Sequence, residues 1–419
     1  MKRIGTGSTS LFRHRARLVI LLSLVAALAL AGCAGRQGVG ASESWSGVAT
    51  QPGTNTAFVG TRDGRVIELL LDAGRNDRII PRVGAIFDAN ERAESGNRVD
   101  AAFYGTPTIA GDRVYVGSYQ GFVYSLAGLG SDQRMLADVG AFEIDGDNLA
   151  KGIAGDVIYA DGALVIAAAE DTEKGRLYVL RADQLDLNTG PSRTERCRYP
   201  AGEQSGVGRM WTTPLVLDGT AYFGDLDRQL HAVDLETCQP VWDQPAELGG
   251  GIVATPVALN GKLYVGAFDR SFYQIDIGTG LATKQFEADR WFWASPATDG
   301  KLIYAPNLDG KLYAYDPQYP NNGGVIWTYD QEGDLEQLLA PPAIVEGKIV
   351  LASDSGIVTL LDPDGTRLRS LGNANDKVRA KLTVQGNTVY VRSLDEIVTA
   401  YEVSGDNFDE DWEFKIEGF

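Results

Sequence analysis

From residue 45 onward, apolar residues come in short runs broken by Asp, Gly and Asn. Leu263-Tyr264-Val265 and Phe272-Tyr273-Gln274-Ile275 are separated by Ala267-Phe268-Asp269-Arg270. Leu312-Tyr313-Ala314-Tyr315 follows Asn307-Leu308-Asp309-Gly310 in the same way. Runs rich in β-branched and aromatic residues, joined by Asp-Gly-type turns, predict antiparallel hairpins. No segment of this region keeps a helical period over three turns.

The hairpins repeat. Clear copies start at Thr106-Pro107, Thr213-Pro214, Thr255-Pro256 and Ser295-Pro296. An aromatic follows each proline by eight residues, at Tyr115, Tyr222, Tyr264 and Tyr304. A turn residue comes five further on (Gln120, Asp227, Asp269, Asp309), and then Tyr124, His231, Tyr273 or Tyr313 after four more. Weaker copies run through Phe58-Asp63-Ile67, Ala163 to Leu180, Pro342-Val350-Asp362 and Tyr390-Asp395-Thr399. Eight units over the 387 residues after position 32 give about 48 residues each, within the range of propeller repeats. A lone four-stranded unit cannot bury both faces, whereas eight arranged radially can, with only short edges left over. The expected architecture is an all-β, eight-bladed β-propeller of four-stranded antiparallel blades over residues 45–419. An open solenoid, the alternative, ordinarily has shorter repeats. Trp242 and Trp327 lead out of their units, and Trp412-Glu413-Phe414 holds the same place where no further unit exists. This predicts that Trp412 to Ile416 pairs into the first blade and locks the ring.

The first 32 residues have another character. Lys2, Arg3, Arg13, Arg15 and Arg17 precede an uncharged run of 14 residues, Leu18 to Ala31, too short to span a bilayer comfortably. The run ends at Leu30-Ala31-Gly32-Cys33. This resembles a bacterial lipoprotein signal, with residues 1–32 as signal peptide and Cys33 as the lipidated new N-terminus. Residues 33–44, rich in Gly, Ser and Ala, read as a flexible tether. The expected location is extracytoplasmic, on the periplasmic face of an outer membrane or on the outer leaflet of a single membrane. There Cys197 and Cys238, the remaining cysteines, are candidates for a disulfide, with two buried thiols as the alternative.

Charge narrows the function. The chain carries 38 Lys+Arg against 56 Asp+Glu, a formal net charge of −18. Removing the leader's five positive charges from −18 leaves −23. Such a surface lacks the cationic field that a nucleic-acid partner requires, and it repels anionic lipid, leaving acyl chains to do the anchoring. With His14 and His231 the only histidines, a His/Cys zinc site has no ligand set.

Thr/Ser-Pro starts, Tyr-Val-Gly strands, the stretch Asp309-Gly310-Lys311-Leu312-Tyr313-Ala314-Tyr315-Asp316 and a downstream Trp together resemble the PQQ-like propeller repeat. That repeat is shared by quinoprotein dehydrogenases and by the BamB-type lipoproteins of outer-membrane barrel assembly. The resemblance covers residues 45–419 and implies the propeller fold more strongly than any function. The dehydrogenase branch implies a vicinal Cys-Cys pair, which this sequence lacks, so no cofactor is expected.

Most single residues that invite a chemical role have a plainer explanation. His231 stands where sister units carry Tyr124, Tyr273 and Tyr313, which points to a structural ring. Asp63, Asp227, Asp269, Asp309 and Asp395 recur at one turn position, as turn formers do. Asp145–Asn148 and Asp362–Gly365 lack the final Glu of a calcium loop. Catalytic and metal residues are therefore not assigned.

Two sets remain as candidates for partner binding. Three residues before the proline position stand Trp45, Tyr104, Trp211 and Trp293, with Val253, Leu339 and Val378 in other units. At the start of each innermost strand these rings would converge on one channel mouth as a peptide platform, unless they serve inter-blade packing. Two long inserts are arginine-rich: Arg75, Arg78, Arg82, Arg92 and Arg98, then Arg193, Arg196, Arg198 and Arg209. The expected function is a lipid-anchored, non-enzymatic scaffold for an envelope protein, with barrel assembly as its most concrete form. A small-molecule or sugar sensor using the channel, or a PQQ-dependent dehydrogenase, are the alternatives.

Overall fold

The computed structural model describes residues 45–416, apart from 52, 74–78, 92–100, 128–136, 147–150, 186–193, 203–206, 320, 331–336 and 372–375. Cys33, the leader and the tether lie outside the described residues, as does Arg193. The region is an eight-bladed propeller of antiparallel sheets whose strands pair in chain order. Blade 1 comprises Val48–Thr50, Thr56–Gly60, Arg65–Ala73 and Ile79–Asp88. Blade 2 comprises Thr108–Ala110, Arg113–Gly117, Phe122–Ala127 and Ala137–Glu143. Blade 3 comprises Ile158–Ala160, Ala163–Ala169, Lys174–Arg181 and Glu195–Tyr199, with Val207–Gly208 pairing on its third strand. Blade 4 runs Leu215–Leu217, Thr220–Gly224, Gln229–Asp234 and Ala246–Glu247. Blade 5 runs Val257–Leu259, Lys262–Gly266, Ser271–Asp276 and Ala282–Glu287. Blade 6 runs Ala297–Thr298, Ile303–Pro306, Lys311–Tyr315 and Val325–Asp330. Blade 7 runs Ala343–Val345, Lys348–Ala352, Val358–Leu361 and Arg367–Leu371. Blade 8 runs Thr383–Gln385, Thr388–Arg392, Ile397–Ser404 and Asn407–Lys415.

Alternation explains why flat sheets close into a ring. Both faces of the second strands are apolar and buried, as in Val114-Tyr115-Val116 or Leu263-Tyr264-Val265, and the third strands are buried too but admit single polar residues such as Glu68, Arg176 and His231. Each face packs on a different neighbour, so the core is eight clusters, one per junction. Tyr264, Phe272, Phe292, Ile303 and Tyr315 fill the junction of blades 5 and 6. Phe58, Phe103, Val116 and Tyr124 fill that of blades 1 and 2. First strands of neighbouring blades approach one another and line the axis.

The Thr/Ser-Pro start has a second purpose that the hairpin pattern does not reveal. Thr106 N donates to Asp156 Oδ1 (2.7 Å), and Asp156 N donates to Thr213 Oγ1 (2.8 Å). Thr255 Oγ1 donates to Thr213 O (2.9 Å), and Thr255 N donates to Ser295 Oγ (2.8 Å). These residues stitch blades 2 to 6 around the axis, where backbone groups would otherwise be buried without partners.

Closure differs from the expectation. Asn407–Lys415 does not enter blade 1; it pairs with Ile397–Ser404 as the outer strand of blade 8. Blade 1 already draws all four strands from its own segment, so it has no vacancy. The ring closes through side chains. Trp412 packs with Val48, Val59 and Leu69 of blade 1, while Thr383 Oγ1 donates to Val48 O. Likewise Trp242 donates Nε1–H to Ile277 O (2.8 Å) and Trp327 to Pro363 O (3.0 Å), so each ring reaches from one blade to the next.

Cys197, on the outer strand of blade 3, is disulfide-bonded to Cys238, in the turn after the third strand of blade 4. Their Cα atoms are 6.0 Å apart across a sequence separation of 41. A covalent link between blades confines the unfolded chain. Replacing both cysteines by Ser is expected to cost about 2–4 kcal/mol in urea unfolding. An unchanged midpoint would show that side-chain packing alone holds this junction.

Candidate partner-binding site at the channel mouth

In a four-stranded meander, successive connections alternate between the two faces of the ring. The turns between second and third strands, and the segments joining one blade to the next, therefore share one face. They are hydrogen-bonded together there: Tyr119 N donates to Ala102 O (2.9 Å), Leu226 N to Arg209 O (2.9 Å) and Phe268 N to Gly251 O (3.0 Å). Leu308 N to Trp291 O (3.2 Å) and Leu394 N to Lys377 O (2.9 Å) continue the series. The mouth is thus a rigid double row of backbone.

Its side chains alternate with period two. Four residues before the proline position, Phe103, Ile153, Met210, Ile252, Phe292, Leu338 and Val378 are fully buried between blades. Two residues before it, Thr212, Ala254, Ala294, Ala340 and Ala380 are buried as well. The flanking positions are thus wholly packed, whereas the position between them is covered at Tyr104 and Val253 and partly open at Trp45, Trp211, Trp293 and Leu339. The register also corrects the assignment in blade 8. Thr383 pairs with Tyr390 as Thr108 pairs with Tyr115, so Arg379 holds the mouth position and Val378 belongs to the core.

The rings form three groups. Trp45 meets Tyr104 edge-on with centroids 4.5 Å apart, and Tyr104 meets Tyr119 at 5.0 Å. Phe268 stacks on Trp291 (5.3 Å) and on Trp293 (5.9 Å). Trp211 lies under the Arg209 guanidinium at 5.2 Å, a cation–π contact. Tyr119, Phe268 and Trp291, all half-buried, are members of the site that sequence spacing missed. Their signal was available, since Phe268 and Tyr119 directly precede the repeating turn position. Turn carboxylates lie close by. Asp269 and Asp309 accept hydrogen bonds from Tyr273 and Tyr313 (2.6 Å each). Burial, and then these carboxylates, hold both phenols above their ordinary range, so they act as fixed donors rather than acids.

The other candidates sit elsewhere. Arg75, Arg78, Arg92 and Arg98 fall outside the described residues. The exposed side chains of Arg82 and Asp72 pair between the fourth and third strands of blade 1 (2.6 Å). Arg196 and Arg198 are on the outer strand of blade 3, where Arg198 is held by Glu195 and Asp145. Among the described residues of this set, Arg82, Arg196 and Arg198 lie away from the mouth and Arg209 lies at it. His231 is buried, its Nε2 2.9 Å from Asp225 Oδ2 and its ring stacked on Phe223 at 5.1 Å, as a structural residue of the third strand. Among the described residues no group of three His, Cys, Asp or Glu side chains is placed to hold a metal ion.

Fold and site together define a PQQ-like β-propeller with an aromatic channel mouth, and solved structures of low identity share that fold. BamB from Moraxella catarrhalis matches at 20% identity and TM-score 0.61, over 86% of this chain and 94% of that one. The computationally designed Ika8 protein matches at 15% identity and TM-score 0.63, over 86% and 98%. The C-terminal WD40 domain of Sif2 matches at 11% identity and TM-score 0.62, over 87% and 97%. No curated protein matches the sequence significantly. The family model described as outer membrane protein assembly factor BamB matches residues 181–319 and 308–417, more than half of the chain. The chain belongs to that family.

Proposed function

We propose that this chain is a lipid-anchored, extracytoplasmic scaffold that holds a protein partner at its aromatic mouth, as an accessory of outer-membrane β-barrel assembly. The family's description supports the assembly role, and the charged leader ending at Cys33 supports the anchor. The observation that carries the reading is the alternation at the mouth. Buried residues on either side do the packing, which leaves Trp45, Trp211 and Trp293 partly open on a backbone already fixed by hydrogen bonds. Rings held in place lose little rotamer freedom on binding, saving about 0.5–1.5 kcal/mol per side chain. An extended segment with apolar side chains can then be held by burial and ring stacking, with no chemical step.

The test compares two kinds of substitution. Trp211→Ala combined with Trp293→Ala is expected to lower the melting temperature by a few degrees while cross-linking to envelope protein falls at least tenfold. Phe292→Ala, which empties the adjoining buried position, is expected to cost about 3–5 kcal/mol. Unfolding of the double variant, or full retention of its partner, would remove the mouth from this role.

A further inference from the structure

The turns that join first to second strands, and third to fourth, share the face opposite the mouth. There Leu217, Tyr222, Ala258, Leu259 and Ile277 line a cleft of about 420 Å³ between blades 4 and 5. A cleft of that size takes a ring-sized ligand. Its frame is fixed by the backbone: Leu235 N donates to Gly219 O (2.9 Å) and Ile277 N to Gly261 O (3.3 Å). The Trp242 ring packs on Tyr222 with centroids 5.8 Å apart.

The repeat shows what such a slot holds. Strand register equates Tyr222 with Tyr115, since Tyr222 pairs with Leu215 as Tyr115 pairs with Thr108. It equates Ala258 with Tyr159 in the same way, through Leu263 and Leu164. Between blades 2 and 3 the Tyr159 ring lies nearly parallel to that of Tyr115, with centroids 6.4 Å apart and planes 9° apart. Between blades 6 and 7, Ile344 takes the position of Ala258 and packs in the cluster that holds Tyr304. Between blades 8 and 1, Gln385 accepts from the Tyr390 hydroxyl (3.4 Å) and donates to Gln51 O (3.3 Å), spanning the junction. Ala258 offers only a methyl group, so the slot over Tyr222 is open to a ring from outside.

We infer that this cleft docks a tyrosine side chain of a polypeptide partner, a second contact independent of the aromatic mouth and of the lipid anchor. The ring stacks on Tyr222 as Tyr159 does on Tyr115, and is buried against Leu217, Leu259 and Ile277. Asp218 and Asn260, exposed in the two turns of the lip, supply acceptors for its hydroxyl and for neighbouring backbone N–H groups. The Asp218 carboxylate disfavours an aromatic acid. A polypeptide is favoured over a free phenol on two grounds. The occupant of the sister slot is a ring carried on an extended strand, Ile158–Ala160. Leu281, which closes the turn carrying Ile277, is 70% exposed and is covered only by residues flanking the ring.

The experiment titrates the full chain, isotope-labelled at its tryptophan indoles, with the blocked peptide Gly-Tyr-Gly, with p-cresol and with p-hydroxybenzoate. The Trp242 indole N–H resonance, assigned through Trp242→Phe, is expected to shift saturably with the peptide, half-maximally at roughly 1 mM for a ligand this small. The response to p-hydroxybenzoate should be about tenfold weaker. Ala258→Tyr, which restores the ring found between blades 2 and 3, should abolish the shift without lowering the melting temperature, and Ala258→Leu serves if that variant does not fold. Adding Tyr159→Ala to Ala258→Tyr opens the slot over Tyr115, so saturation transfer to the peptide should return to at least about half its original amplitude. A response to p-cresol but not to the peptide would make this a site for free phenols and overturn the polypeptide. No saturable shift with any probe, or one that survives in both Ala258 variants, overturns the site. Partner cross-linking through Trp211 and Trp293 is untouched by either outcome, so the mouth stands or falls separately.

Discussion

Ending the chain at Asp406 is expected to abolish its single cooperative unfolding transition, and Trp412→Ala alone to cost about 3–5 kcal/mol. The deleted strand, Asn407–Lys415, is one edge of blade 8, and three of the side chains lost with residues 407–416 are almost wholly enclosed. Phe408 is 0% exposed, Trp412 3% and Ile416 2%. Phe408 packs into the junction with blade 7, whereas Trp412 and Ile416 pack into the junction with blade 1. Removing them opens both sides of one blade, and a ring with one weakened wedge loses its closure. Trp412→Phe separates ring volume from polarity. The indole Nε1–H is buried with no hydrogen-bond partner, so Phe discards an unsatisfied donor while keeping most of the contact with Tyr390 at 5.9 Å. That variant should lose less than about 1 kcal/mol in urea titration followed by circular dichroism. A truncated chain with the full-length midpoint would mean that blade 8 contributes nothing to closure.

The fold was legible because the repeat is strict where packing is strict. Aromatic, turn and strand positions recur in register from Thr213 to Asp316, and each slot is filled for the same physical reason. Closure was not legible. A Trp that follows the end of a unit fits the fourth strand of its own blade as well as the first partner of the next, and ladder partners far apart in sequence leave no local mark. The slip in blade 8 has a similar cause. The blade carries Lys381-Leu382 where others carry Thr-Pro or Ser-Pro, so nothing pins the register, and a shift of one residue exchanges core for surface. Val378 is 0% exposed, whereas the Arg379 side chain is 12% exposed and donates Nε–H to Asp354 (2.9 Å). The aromatic mouth was legible in part. Trp45, Tyr104, Trp211 and Trp293 follow from spacing, but Tyr119, Phe268 and Trp291 join only through turns folded against the next blade. Of the described insert arginines, Arg82 meets Asp72 across paired strands and Arg198 meets Glu195 three residues away on its own strand, so only the first partner needs the fold to be seen.

The polar half of the closure should prove as costly to break as the apolar half. Arg392 and Glu396 form an ion pair with side chains only 1% and 7% exposed, and Arg392 also donates to Ser46 O (2.7 Å). Glu396 further accepts from the backbone N–H of Arg62 in blade 1 (3.4 Å). Blade 8 is thereby fastened to the start of blade 1 at the point where the chain enters. Arg392→Met leaves a buried carboxylate without its charged partner and the Ser46 carbonyl without its side-chain donor, and is expected to cost about 3–5 kcal/mol; Glu396→Gln, which strands the guanidinium, should cost a similar amount. Arg392→Met with Glu396→Gln removes both charges together, so its cost should fall short of the sum of the singles by at least about 1–2 kcal/mol. Because the pair is enclosed, that coupling should persist in 1 M salt, where exposed pairs such as Arg82–Asp72 are screened. Single substitutions that simply add would mean that the two charges do not feel each other, leaving Trp412 and its apolar neighbours to close the ring unaided.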